Sequence, residues 1–434
     1  MLQTIKNGWK IPELRKKILF TLLIVVLYRV GASIPVPYVN ATRMGDIINS
    51  TGSFFQYVNL LSGDAFSQAT LFALSVSPYI TAQIVMQLLS IAIPALERLS
   101  KDGEEGKKKI NQISRYVTIG IALVTAYGYY MFMKVNNMIV PGAGVFGAFV
   151  ILACYVAGSA LIMWLAEQVN DFGIGNGVSI ILFANILAGL PAFLVELFTK
   201  MFTGGWQGLV YALVVIVIGL GMLAFIVFMS ESERRLPVQY AKKVVGRKMY
   251  GGQSTNLPIK VNMSGVMPII FANSILGLPT TIAALLSNPK EGTFWYKFLQ
   301  FFSHTSWFYV ILFIILIIAF AYFYIAISFN PVEVSNNLKK NGGFIPGIRP
   351  GKPTSDYITK VLNKIILIGA IMLSVVAVLP LVINIIALDT FSATGIGQLA
   401  FGGSSVIIVV GVVIELVRAI EAEMTMRHYK GFLD

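Results

Sequence analysis

Apolar residues along this chain gather into ten long stretches, separated by polar, basic or glycine- and proline-bearing segments. With soft boundaries they cover 18–34, 69–93, 115–133, 145–166, 177–198, 207–229, 264–286, 307–329, 361–382 and 398–418. Each is long enough to cross a hydrocarbon core of about 30 Å as a helix. The pattern predicts an all-α polytopic membrane protein with ten transmembrane helices. One segment breaks the pattern. Residues 54–68 (FFQYVNLLSGDAFSQ) are too polar to span and too apolar for an ordinary loop. They read either as a half-helix folded back into the membrane or as an interfacial helix. Ser62-Gly63 supplies a flexible break in either case.

Two stretches carry matching prolines. VSPYITA (76–82) and VMPIIFA (266–272) share Val76/Val266, Pro78/Pro268, Ile80/Ile270 and Ala82/Ala272 at a constant offset of 190 residues. A proline inside a span frees a backbone carbonyl, which is tolerated only where protein or a water-lined cavity satisfies it. Paired broken helices in two halves of a membrane protein point to an inverted repeat around a substrate path.

Composition narrows the class. The chain has 434 residues, of which 56% are hydrophobic and 12% charged, and its mean hydropathy is +0.77. A soluble domain does not have these values. Cys154 is the only cysteine, so no intrachain disulfide framework and no cysteine-based metal site are expected. His304 and His428 lie far apart. The first apolar run follows a basic start but has no small-residue cleavage site after it, so it reads as a retained span.

Charge sets the expected orientation. Of 33 lysines and arginines, 27 fall in the N-terminal segment, three alternate loops with their flanks, and the C-terminal tail. Five fall on the opposite face, and Arg29 lies inside the first span. The positive-inside rule then places both termini and the long segments 231–262 and 330–360 in the cytosol, with 35–53 and 287–306 outside. The cytosolic face nets +12 and the outer face zero. Topology alone explains positive charge but not the length of those two loops. Such a surface attracts RNA phosphate, anionic lipid or an acidic partner.

Within the spans the polar residues are mostly neutral: Thr81, Gln83, Gln87, Asn273 and Ser274 lie in the two matched stretches. Neutral side chains can join helices and release them, and each can equally be plain interhelical glue. Arg29 can snorkel or pair with a carbonyl. There is no chain of buried acids for a proton relay, and no HExxH, Walker loop, GxSxG or Cys/His cluster. The GIGNG run (173–177) lacks the setting of a nucleotide site and reads as a turn-former. On these residues alone, a channel and a small-solute transporter both remain open.

Longer motifs decide between them. LSGDAFSQATLFAL (61–74), SPYITAQIVMQLL (77–89), WLAEQVNDFGIGNGVSIILF (164–183), YAKKVVGRKMYGGQSTNLPIKVNMSGVMP (240–268), FNPVEVSNNLKKNGGFIPGIRPG (329–351) and FGGSSVIIVV (401–410) together resemble the bacterial SecY family. That family supplies the central subunit of the protein-translocation channel. The resemblance implies two pseudo-symmetric inverted five-helix halves, 1–198 and 199–434, hinged between the fifth and sixth spans, with a re-entrant plug helix. It implies a pore ring of Val76, Ile80, Val178, Leu182, Ile270 and Ile408, three of them Val or Leu where the family often has Ile. The plug maps to Leu61, Ser62, Gly63, Asp64, Ala65 and Phe66. Gly63-Asp64 stands where many members carry Gly-Gly. A lateral gate between the second, third, seventh and eighth spans would use Thr81, Gln87 and Asn273. Partner docking would fall to Arg234, Arg235, Lys242, Lys243, Arg247, Lys248 and Arg349. The implied partners are the SecE and SecG subunits, the SecA motor, the ribosome, signal sequences and unfolded secretory chains, and membrane lipids. No cofactor and no catalytic residues are implied.

Overall fold

The computed structural model describes residues 8–40, 44, 58–59, 61–203, 205–240, 243–245, 248–250, 254–286, 301–302, 306–391 and 403–430. Its described helices are α1 (Pro12–Gly31), α2 (Ser77–Ala92), α3 (Pro94–Lys101), α4 (Gly103–Val135), α5 (Gly144–Phe172), α6 (Gly177–Thr203), α7 (Gly205–Glu231), α8 (Met267–Leu286), α9 (Trp307–Ser328), α10 (Pro331–Lys340), α11 (Lys352–Phe391) and α12 (Gly403–Lys430). Every predicted apolar stretch carries one of them. Among the described residues, six helices are long and apolar enough to cross a membrane, and a seventh if α2 and α3 count as one span bent by 105°. The chain is a multi-pass, predominantly α-helical membrane protein. It separates into two compact units, one of residues 1–212, 277–304 and 408–434, the other of 213–276 and 305–407.

In the first unit, α1 packs on α5 and α6, α2 on α4, α4 on α5, and α5 on α6. Prolines open several helices at a position where the missing N–H is no loss: Pro12 in α1, Pro78 in α2 and Pro94 in α3. This corrects the reading of Pro78 and Pro268 as mid-span breaks. Pro78 lies in the first turn of α2 and Pro268 is the second residue of α8, so neither costs a helical hydrogen bond. Among the described residues, the prolines inside helices are Pro191, Pro279 and Pro380. The stretch predicted as a span over 69–93 is accordingly part helix and part not, since residues 63–76 form turns and a bridge.

The GIGNG run does form a tight turn between α5 and α6. Asn170 accepts the Gly177 N–H at 2.8 Å, and Asn176 caps α6 by accepting from Val178 at 3.0 Å. A Cβ on Gly177 would lie 2.0 Å from the Ala166 carbonyl oxygen. The base of this unit is closed by Leu14, Ile174 and Ile420, beside a Lys17–Glu423 ion pair. That contact holds the last helix to the first.

The second unit contains a feature that the periodicity reading missed. The segment expected as a long basic loop folds into strands. β1 (Glu233–Tyr240) pairs antiparallel with β4 (Ser254–Lys260), with Glu233 opposite Lys260 and Gln239 opposite Ser254. β5 (Gly343–Phe344) adds to the other edge of β1, and β2 (Lys243–Val245) pairs with β3 (Lys248–Tyr250) at the tip. Leu236 and Val238 point inward while their neighbours are exposed, the period of two that a one-sided sheet requires. With Ile259 and Ile345 they pack on Ile358 and Ile365 of α11. That helix has 40 residues, about 60 Å at ~1.5 Å per residue, twice a hydrocarbon core. Its first turns carry the sheet, and its later turns pack on α9.

One glycine shows how tightly the first unit is built. A Cβ on Gly158 of α5 would lie 2.0 Å from the Leu71 carbonyl oxygen, so only glycine lets the helix meet the turn segment backbone to backbone. Gly158→Leu is expected to destabilise the protein by about 1–3 kcal/mol through overpacking. A thermal-unfolding midpoint in detergent that matches the parent protein would show that the segment does not rest on α5.

Candidate functional site

The segment leading into α2 is the irregular heart of the first unit. Residues 58–59 and 61–62 are helical, 63–69 form turns, Thr70 makes a bridge with Pro35, and turns continue to Val76. Residues 54–57 and 60 of the sequence-defined segment lie outside the described residues. Gly63 and Asp64 are both left-handed, at φ +62° and +68°, and Ala69 and Ser75 are left-handed too. A non-glycine residue there costs roughly 1–2 kcal/mol, so local bonds must compensate. Asn59 supplies them, donating to Asp64 Oδ1 at 2.9 Å and accepting the Ser67 N–H at 2.8 Å. Ser62 Oγ accepts the Phe66 N–H at 3.0 Å.

The expected plug residues alternate between two environments. Leu61, Ser62, Ala65 and Phe66 are buried, Gly63 is half-buried and Asp64 is exposed. Residues 61, 62, 65 and 66 thus pack against protein. What holds the segment is a set of side-chain donors on neighbouring helices, aimed at its carbonyls. Tyr129 of α4 donates to Phe66 O at 2.6 Å and packs against the Phe66 ring, tilted, at 4.5 Å between centroids. Tyr155 of α5 donates to Ala69 O at 3.4 Å. The Val36 N–H bonds Ala69 O at 3.2 Å, and the Leu71 N–H bonds Ile34 O at 2.9 Å. Around these bonds lies an apolar cluster that includes Phe66, Ala69, Ala73, Leu74, Met133 and Ile151. Arg29 takes the carbonyl-pairing option, donating to Ala184 O at 2.6 Å and to Gly63 O at 3.3 Å.

Of the expected ring, Val76, Ile80, Val178, Leu182 and Ile408 are buried in the first unit. Val76 and Ile80 are one turn apart at the head of α2, and Val178 and Leu182 are one turn apart at the head of α6. Ile270 lies on α8 in the second unit and is half-buried. Among the expected gate residues, Thr81 is exposed and bonds back to Ser77 O at 2.9 Å. Gln87 opens onto a polar cleft of about 360 Å³ that Gln83, Asn111, Ser114 and Glu167 also line. Asn273 is half-buried on α8.

The described docking candidates lie on strands of the second unit and on one turn beside them. Arg234 and Arg235 are exposed on β1, and Arg235 bonds Glu233 at 2.7 Å. Lys243 and Lys248 belong to the β2–β3 ladder, and Lys242 and Arg247 lie outside the described residues. Arg349 is exposed on the turn between β5 and α11, where its carbonyl accepts the Thr354 hydroxyl at 2.8 Å. Ser335 of α10 bonds Gly351 O at 2.8 Å and fixes the far side of that turn. Among the described residues no cluster of three or more His, Cys, Asp or Glu could hold a metal ion.

Residues 70–417 match the family model described as SecY. A protein translocase subunit SecY from Streptomyces coelicolor is 42% identical, over the full length of both chains. The chain belongs to the SecY family. Two solved structures share the SecY fold at low identity, each covering 97% of both chains. One, described as a protein-conducting channel, has a TM-score of 0.65 at 18% identity. The other has a TM-score of 0.62 at 17% identity and is described as showing that the SecY plug domain stabilises the closed state of the channel.

Sequence reasoning singled out the segment 54–68 but missed the supports of its described part. Tyr28, Tyr129, Tyr155 and Asn185 were not distinguishable from the apolar spans around them. The only available signal was a single polar atom in an otherwise apolar run. Tyr129→Phe leaves the Phe66 carbonyl with the longer Ala69 N–H bond at 3.2 Å and is expected to cost about 0.5–1.5 kcal/mol. Tyr155→Phe removes a longer bond and should cost less. Thermal unfolding of the two purified variants checks the order, and a larger loss for Tyr155→Phe would reverse the assignment.

Proposed function

We propose that this SecY family member is a protein-conducting channel of the bacterial plasma membrane, with both termini in the cytosol. It passes unfolded secretory polypeptides across the bilayer and releases apolar segments sideways through a lateral gate. The observation that carries the reading is the segment 61–76. It is largely buried, its backbone is irregular from residue 63 onward, and it is held by hydroxyl, amide and Arg29 donors to its carbonyls rather than by ion pairs. Backbone of that kind at membrane depth suits an element that moves.

A polypeptide has no fixed charge or shape, so a pore for it cannot rely on specific ligands. Branched aliphatic side chains at Val76, Ile80, Val178, Leu182, Ile270 and Ile408 would make a compliant seal that resists a continuous water column. The two halves, 1–198 and 199–434, would hinge between α6 and α7, and Thr81, Gln87 and Asn273 would face the opening seam. Neutral contacts there separate at low cost. The channel itself performs no bond chemistry. Work comes from partners, the SecA motor or the ribosome, which dock on the basic sheet and the Arg349 turn, while SecE and SecG complete the complex.

Ile408→Asn and Ile270→Asn test the seal. Each adds an amide to a site that excludes water, so small-ion conductance across planar bilayers should rise and defective signal sequences should pass more readily. Parent-like conductance in both variants would remove these residues from the ring.

Arg349→Glu tests docking. A loop-tip charge reversal is expected to change stability by no more than about 0.5 kcal/mol. It should nevertheless weaken SecA binding and reduce motor-driven transport, because a charge-assisted hydrogen bond is worth about 1.5–3 kcal/mol. Normal transport in liposomes would rule out a docking role. Failure together with a lowered unfolding midpoint would assign Arg349 to folding.

A further inference from the structure

Asn185 stands in the middle of α6 with no exposed surface. Its side-chain nitrogen lies 2.7 Å from Leu61 O, 2.9 Å from Tyr28 Oη and 3.3 Å from Ser75 Oγ. The Leu61 carbonyl only accepts, so the amide nitrogen and not its oxygen must face it. Ser75 Oγ also donates to Leu61 O, at 3.0 Å. The two ends of the turn segment, residues 61 and 75, are therefore tied to each other and to one amide of α6. Arg29 of α1 grips the same place from the other side, through Gly63 O and the carbonyls of Ala184 and Asn185. The Tyr28 ring stacks on Phe72 at 5.2 Å, which fixes the hydroxyl that completes the group.

One atom of this cluster is unsatisfied. Asn185 Oδ1 is buried and has no hydrogen-bond partner among the described residues. A buried acceptor left unpaired destabilises the state that buries it. The same amide thus holds the segment through its nitrogen and opposes the held state through its oxygen. Displacement of the segment would expose both atoms to whatever polar medium replaces it, and the lost bonds would be exchanged for new ones.

We infer that Asn185, with Arg29, forms a releasable hydrogen-bond clasp that sets how firmly residues 61–75 are held in place, which makes Asn185 a positioning residue for channel opening. The inference rests on the reading of this segment as the plug. A purely structural role would instead make Asn185 a brace between α1 and α6, whose loss loosens the whole unit.

The test uses the full chain in membranes with its natural partner subunits and with Cys154→Ser as background. A cysteine at Ala65, which is buried in the segment, reports release through its rate of labelling by a small water-soluble maleimide. A cysteine at Ile162, which is buried in α5, reports general loosening. Asn185→Ala is expected to speed labelling at position 65 about tenfold, equivalent to ~1.4 kcal/mol, and to leave position 162 unchanged. Asn185→Ser, which keeps one hydroxyl donor, should fall between Asn185→Ala and the parent. Unchanged labelling at 65 in both variants, or equal increases at 65 and 162 in both, overturns the clasp. Planar-bilayer conductance separates the two readings. Faster labelling at 65 without added conductance keeps the clasp and removes the plug assignment. Increased conductance on deleting 61–68, with labelling unmoved by either Asn185 variant, keeps the plug and removes the clasp.

Discussion

A carbonyl oxygen buried without a hydrogen-bond donor costs about 1–3 kcal/mol, and hydrocarbon offers no water to relieve it. Helices meet this constraint internally. The segment 63–76 meets it only in part, through bonds such as Thr70 N–H to Ala65 O, because its backbone turns repeatedly and includes four left-handed residues. The remaining donors come from outside, and the first unit is arranged to bring them. Tyr129 and Tyr155 reach in from α4 and α5, Arg29 from α1 and Asn185 from α6. The close approach at Gly158 and the stacking of Tyr28 on Phe72 follow from the same need to wrap irregular backbone with protein.

The choice of donors matters for what the segment can do. Hydroxyls and an amide carry no net charge, so removing their partner leaves no isolated ion in the membrane. A buried ion pair in their place would hold more stubbornly, since stripping one partner from such a pair costs several kcal/mol. Arg29 is the exception, and it divides its donors among three carbonyls rather than facing one carboxylate. Only one of those carbonyls belongs to the segment. The arginine can therefore let go of Gly63 and keep both bonds to α6.

Much of this architecture was legible in the sequence. Ten apolar stretches became helices because a bilayer-length run leaves few other solutions. That residues 61–68 are neither loop nor span was legible too, since a polar–apolar mixture between two spans fits neither. Proline was misread. Pro78 and Pro268 are identical in sequence to span-breaking prolines, and only the helix start at Ser77 or Met267 shows that they open helices. The sheet was hidden by its charges: Arg234, Arg235 and their neighbours made the segment read as loop, although Leu236 and Val238 alternate as a strand requires. Asn185 was hidden for the opposite reason. One amide in an apolar run states nothing about its partners, and those partners lie 110 to 157 residues away in sequence.

The second unit applies the reverse logic. Its basic turn is not floppy. β5 joins the Arg349 turn to β1, and the sheet rests on Ile358 and Ile365 of α11. Asn330 caps α10 with two backbone bonds, and Ser335 on that helix holds Gly351. A macromolecule that engages Arg349 thus meets a body continuous with a 40-residue helix, rather than a free loop. Little conformational entropy remains to be lost at the contact, which raises affinity without further contact area. The packing of α11 on α9 joins that body to the membrane-spanning part of the same unit.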